Sequence, residues 1–298
     1  MPQQTINKLL KVIDDSLNTF VENLPESEKY IYSKVLSLVK ELKVDSYGNI
    51  RNTLENVKLI GKIKNRLDGI VISEPYLKNV SSFVSVFEQV AVLNNDYLAQ
   101  VFADFKPKPV LNEIKKQAIS ITADQLTEGG IGNQIKNDIV DVLQANISTG
   151  GSYADFTDQL RTAIIGKEGE DSPLLKYAKQ VSTDSINQYN AQYVKAVTND
   201  LGLEWFQYLG SLLTTSRPFC KAMVEKRYFH ISEVPELLDG NIGGKKIPVN
   251  SKTGLPYGLI DGTNEANFFI YRGGYQCGHQ IFPVSSASVP SELVAKFA

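Results

Sequence analysis

Through its first two hundred residues the chain repeats one pattern: apolar side chains recur at three- and four-residue spacing, with little of the two-residue alternation that marks a half-buried strand. A sequence of this kind is restricted to packed amphipathic helices. Ile6, Leu9, Leu10, Ile13, Leu17, Phe20 and Val21 form the first stripe, and Pro25 closes it. Ile31, Val35, Leu38, Val39 and Leu42 form the second, ending at the Asp45-Ser46-Tyr47-Gly48 break, and a third run covers about 49–68. Val80, Phe83, Val84, Phe87, Val90, Leu93, Tyr97, Leu98 and Val101 keep helical phase until the Lys106-Pro107-Lys108-Pro109 breaker. Further stripes run from Leu111 to Gly129-Gly130, from Ile135 to Thr149-Gly150-Gly151, and from Tyr153 to Ile164. A long one opens at Pro173 and stops at Leu201-Gly202. Helix packing accounts for these stripes; the faces of 75–104 and 173–200 are the candidates for partner surfaces.

After Gly202 the pattern changes. Leu203–Leu209, with the only tryptophan, Trp205, reads as a strand, and Ser216-Arg217-Pro218 reads as a helix start. Residues 240–267 are dense in Gly, Pro, Asn and Lys and predict an irregular surface excursion. Phe268-Phe269-Ile270-Tyr271 and Gln280–Val284 read as strands on either side of Arg272-Gly273-Gly274-Tyr275. The expected fold is mainly α: a helical N-terminal region (1–130), a helical middle part (131–201), then a small C-terminal α+β domain (202–298).

Every cysteine and histidine of the chain falls in that last part: Cys220, His230, Cys277 and His279. Thiolate and imidazole bind transition metals and do nucleophilic or acid–base work near neutral pH. Cys277 and His279, two apart on an extended segment, point to the same side. Were the chain to return Cys220 and His230 to them, the four would make a tetrahedral Cys₂His₂ set for structural zinc. Neither pair has the C-x₂₋₄-C or H-x₃₋₅-H spacing of a zinc finger, so other readings stay open. Cys220 as a small buried hydrophobe beside ordinary histidines is one, a Cys220–Cys277 bridge another, and a catalytic Cys–His pair oriented by Asn264, Glu265 or Asn267 a third. No Walker loop, G-x-S-x-G, H-E-x-x-H or dinucleotide fingerprint is present.

A net charge of -2 gives no global attraction to nucleic acid or an anionic membrane, and the basic residues Lys226-Arg227 and Lys245-Lys246 are only pairs. The opening Met1-Pro2-Gln3-Gln4-Thr5 lacks a signal-peptide pattern, and no apolar run reaches membrane-spanning length. A chain made in the cytoplasm with no membrane partner is expected.

The string Thr214-Thr215-Ser216-Arg217-Pro218-Phe219-Cys220, then Tyr228-Phe229-His230 with Glu233, then Tyr271-Arg272-Gly273-Gly274-Tyr275-Gln276-Cys277-Gly278-His279 ending in Phe282-Pro283-Val284, resembles the C-terminal signature of Mu F-type phage head morphogenesis proteins. Gly150-Gly151-Ser152-Tyr153 with Leu160, and the helix through Asn187, Asn190 and Ala191, extend the resemblance over about 135–285. Gly278 stands where arginine is usual in that family, and Val224-Glu225-Lys226 replaces a glycine-lysine turn. The family alternates His with Cys at the position matching His279, an exchange that keeps a metal ligand. What the resemblance implies is a non-enzymatic minor head protein of the virion, made in the host cytoplasm. It would associate with the portal and other head proteins, contact packaged DNA, and aid capsid assembly, DNA packaging or DNA delivery. The family's fused toxin members set the alternative, a phage-encoded effector or metal-dependent nuclease. Four protein ligands would leave a zinc ion no open position for that chemistry.

Overall fold

The computed structural model describes residues 2–297, the Glu128 side chain excepted. The fold is mainly α with a small α+β part at its C-terminal end, as the sequence predicts. Eight helices precede the first strand: α1 (Pro2–Glu22), α2 (Leu24–Val39), α3 (Leu54–Val71), α4 (Glu74–Val101), α5 (Pro109–Leu126), α6 (Asn133–Thr149), α7 (Tyr153–Ile165) and α8 (Pro173–Leu201). Two compact units result, and they do not follow the sequence breaks at 130 and 201. One comprises 15–85 and 120–182, the other 1–14, 86–119 and 183–298. The sequence breaks mark where helices stop, whereas the unit boundaries fall inside α1, α4, α5 and α8.

In the first of these units α2, α3, α6 and α7 pack on one another. Their stripes become its core: Ile31, Val35 and Val39 from α2, Ile63 and Leu67 from α3, Ile139 and Leu143 from α6, Phe156 and Leu160 from α7. Local chemistry sets the ends. The Thr53 hydroxyl accepts from the Asn56 amide and starts α3, Ser152 does the same for Asp155 and α7, and left-handed Gly150 stops α6. A single π-helical turn, Glu128–Gly132, links α5 to α6. It needs Gly130, where a Cβ would lie 2.1 Å from the Gln125 carbonyl oxygen.

The second unit carries the remaining elements: β1 (Trp205–Leu209), α9 (Pro218–Lys226), β2 (Tyr228–His230), α10 (Val234–Leu238), β3 (Asn241–Ile242), β4 (Lys245–Lys246), α11 (Phe268–Tyr271), β5 (Gln280–Pro283) and α12 (Ser291–Val294). Strands β2, β1 and β5 form an antiparallel sheet in that order, with Phe206 opposite both Phe229 and Pro283, and Leu209 opposite Gln280. The expected surface excursion contains one hairpin, β3–β4, turned by Gly243 and Gly244 at positive φ (59° and 77°), the conformation a two-residue turn demands.

Phe268–Tyr271, expected as a strand, is one helical turn instead. Adjacent strand residues face opposite ways, yet Phe268 and Phe269 are both buried in one aromatic cluster. Phe268 meets Phe219 and Phe229 with ring centroids 6.1 Å away, and Phe269 meets Phe206 at 4.8 Å. A helical turn lets consecutive rings enter the same core. The partner-surface candidates α4 and α8 bury their apolar faces: Val80, Phe87, Val90 and Leu98 on α4, and Ile186, Tyr189, Tyr193 and Val197 on α8, are all core residues.

Candidate metal centre

Pro218 at the first position of α9 fixes its start and leaves Arg217 extended just outside it (φ -68°, ψ 153°). From there the Arg217 guanidinium forks onto two backbone carbonyls, Gly273 O at 2.7 Å and Tyr275 O at 2.6 Å. That fork ties the start of α9 to a loop whose Gly273, Gly274 and Gln276 all have positive φ (80°, 78° and 56°). Gly273 is obligatory, since a Cβ there would sit 2.1 Å from Cys277 Sγ. Gln276 is held in the left-handed region by donating its amide to the Asp184 carboxylate. Burial pushes that carboxyl up to about 6, against the lowering effect of this hydrogen bond and of Arg217.

The loop delivers Cys277 and His279 to Cys220, the third residue of α9. The two sulfurs are 3.7 Å apart, His279 Nδ1 is 3.5 Å from Cys277 Sγ, and the three donor atoms lie within 4.8 Å of one another. All three side chains are buried. The sulfurs are free thiols, well outside the ~2.05 Å of a disulfide. Tyr208 reaches them from β1, its hydroxyl donating to Cys220 Sγ at 3.6 Å and lying 3.8 Å from Cys277 Sγ. Full burial raises the Tyr208 hydroxyl well above its usual value, so it stays protonated. The hydrogen bond from Cys220 holds Cys277 below the usual thiol range, helped by His279 and Arg272. The same bond, with burial, pushes Cys220 up.

His279 is oriented by packing. Its ring stacks on Tyr208 at 5.4 Å and 20°, and Gly210 makes room for it, since a Cβ there would lie 2.6 Å from Cδ2. Its Nε2 is buried without a hydrogen-bond partner. Metal-bound imidazoles usually donate their other N–H to an oxygen; here the stacked tyrosine does the positioning.

Behind the loop runs a buried chain of amides. Asn94 Nδ2 donates to Asn190 Oδ1 at 2.7 Å, and Asn190 Nδ2 to Gln280 Oε1 at 2.8 Å. Gln280 Nε2 donates to Asn187 Oδ1, and Asn187 Nδ2 to the Cys277 carbonyl at 2.8 Å. Arg272 adds bonds from Nη2 to His279 O (2.9 Å) and Gln280 Oε1 (3.2 Å). Such a network fixes the backbone that carries two of the three donors.

His230 does not join them. It sits opposite Trp205 at the other end of β1, stacked on Phe297 at 4.7 Å with its Nδ1 2.8 Å from Ser232 Oγ. The expected four-ligand set is therefore a three-ligand set: among the described residues no fourth His, Cys, Asp or Glu completes it. The reason is register. Trp205 and Tyr208 are three positions apart on β1, about 10 Å, and only the Tyr208 end meets the cysteines.

Cys220, Cys277 and His279 are able to hold a metal ion. With Zn–S bonds of about 2.3 Å and Zn–N of about 2.0–2.1 Å, a tetrahedron has S···S edges of about 3.8 Å and S···N edges of about 3.6 Å. The Cys220–Cys277 and Cys277–His279 separations, 3.7 and 3.5 Å, match these edges, and the remaining Cys220–His279 edge lies within 4.8 Å. The three residues also line a cleft of about 670 Å³ together with the start of α1 and the 209–217 segment.

Family models, curated proteins and solved structures offer no match to this chain. Its site is read from its own geometry. Sequence reasoning passed over Tyr208, Gly210 and Gln280, which touch the donors or their backbone. It noted Asn187 and Asn190 without giving them a role.

Proposed function

We propose that the chain is a non-enzymatic structural protein of the Mu F-like head-morphogenesis kind, its C-terminal lobe pinned by a zinc ion on Cys220, Cys277 and His279. One observation carries the reading. The two motif segments behind the resemblance, 214–220 and 271–279, spend their distinctive residues on each other: Arg217 on the Gly273 and Tyr275 carbonyls, Cys220 on Cys277. Residues used this way favour a staple over a reaction centre. On this reading the protein works by docking, with the portal and other head proteins as partners and the virion as its place.

Co-expression with a tailed-phage portal protein tests the role. A stable complex is expected; a chain that never associates with portal, in particles that assemble equally well without it, would end the proposal. For the metal, one zinc per chain is expected after purification in reducing buffer, lost in Cys277→Ser. Protein that is folded and zinc-free under those conditions would remove the zinc.

A second reading, a metal-dependent nuclease, is favoured by the finding of three protein ligands where four were expected, because catalytic zinc sites keep one position for water. A plasmid-nicking assay separates the two, with zinc-dependent nicking lost in His279→Ala supporting the enzyme.

A further inference from the structure

We infer that the metal centre is open on one side, its fourth coordination position facing the cleft and taking an exchangeable donor from solution: water at rest, displaced by a small thiol. The inference rests on the zinc reading above and adds what the ion does with its remaining valence.

Zinc held by nitrogen and sulfur ligands is tetrahedral, and this chain supplies three corners. The described residues bring no carboxylate, thiol or imidazole to the fourth, and His230 is engaged at the far end of β1. The Tyr208 hydroxyl is turned to the sulfurs, donating to Cys220 Sγ at 3.6 Å and lying 3.8 Å from Cys277 Sγ. Cys220, Cys277 and His279 form part of the wall of the cleft, so the missing corner has somewhere to face. The ≈ 670 Å³ of that cleft lies within the 300–1,000 Å³ of typical small-molecule sites.

Charge and softness select the donor. Two thiolates and a neutral imidazole around Zn²⁺ make a neutral centre, so an arriving anion meets no net repulsion. Arg217 and Asp14 both line the cleft, balancing one another, and the buried Arg272 guanidinium reaches the His279 carbonyl beside the donors. Thiolate is the anionic donor with the strongest preference for such a centre. Binding is a ligand exchange: the thiol sulfur bonds to the metal, its proton passes to solvent and the bound water leaves, with no change of oxidation state.

Cobalt(II) substitution of the full chain reports on each step through the d–d bands and the sulfur-to-metal charge-transfer band. Cobalt uptake with a tetrahedral spectrum showing two thiolates is expected first. Titration with 2-mercaptoethanol should then raise the charge-transfer band saturably, in proportion to a change from two thiolates to three. His230→Ala should give the same spectrum and the same titration. Cobalt bound with a spectrum unmoved by the thiol would overturn the open position while leaving the metal site standing. A spectrum altered by His230→Ala would overturn it too, by identifying the fourth ligand. Failure to take up cobalt, with zinc also absent, would remove the metal reading itself, and the portal experiment would still stand or fall independently.

Discussion

Asn187→Ala is the sharpest test of how the metal loop is held. Asn187 is 4% exposed and is the last amide of the chain, next to the loop, accepting from Gln280 Nε2 and donating to the Cys277 carbonyl at 2.8 Å. Truncation leaves a buried donor and a buried acceptor without partners. Each such orphan costs about 1–3 kcal/mol, so the expected loss is about 2–6 kcal/mol. Asn94→Ala, at the far end of the same chain, orphans only the Asn190 Oδ1 acceptor and should cost about half as much. The single tryptophan, Trp205 on β1 of the same unit, gives a fluorescence signal for urea unfolding. Both variants should lower the midpoint at unchanged slope. Zinc affinity should fall about 10- to 100-fold in Asn187→Ala, as for other outer-shell changes. A loss below about 1 kcal/mol for Asn187→Ala, or one no larger than for Asn94→Ala, would refute the idea that these amides hold the loop.

Gly273→Ala should abolish zinc uptake, because its Cβ would overlap Cys277 Sγ, while Gly243→Ala, open on all sides and strained only by φ, should cost about 1 kcal/mol and leave metal content unchanged; metal analysis beside urea unfolding compares them. Arg217→Lys can keep one of two carbonyl contacts and should lose about 1–3 kcal/mol, with zinc dissociation accelerated in a chelator-trap assay. Glu28 is buried against the Ser172 hydroxyl that starts α8, and burial raises its carboxyl above the ordinary 4.5. Its folded form binds the proton more tightly than the unfolded form, so its ionisation costs stability as pH rises past 4.5. Glu28→Gln should therefore be the more stable protein at neutral pH and lose that advantage below the unfolded value, in unfolding curves taken across that range.

The long helices were legible because one-face burial writes itself into the sequence. Val80, Phe87, Val90 and Leu98 are core residues on the stripe that predicts α4. Strands β1 and β5 were legible as short apolar runs at expected positions. Phe268–Tyr271 was not, since a four-residue apolar run fits a strand or a helical turn equally, and only the aromatic cluster around it decides. At the metal centre, residue type pointed to four candidates and the fold united three. His230 was misplaced because pairing register along β1, which separates it from Tyr208, has no local signal. The supporting amides were hidden for a related reason: Asn187 and Gln280 are ordinary polar residues until a partner about ninety positions away is known.

The interleaving of the two units also imposes a schedule on synthesis. Residues 15–85 and 120–182 have all left the ribosome before most of the other unit exists. Asn94 and Tyr97, by contrast, emerge early and wait for partners made late: Tyr97 bonds a carbonyl 186 residues downstream. At 5–20 residues per second that wait is about 10–40 s. During it the buried face of α4 around Phe87, Val90 and Leu98 has no strand or C-terminal helix to cover it. Cys220, Cys277 and His279 meet only at the end, so on the proposed zinc reading capture of an ion would mark the moment at which the last-made part of the chain closes over surfaces that were made first.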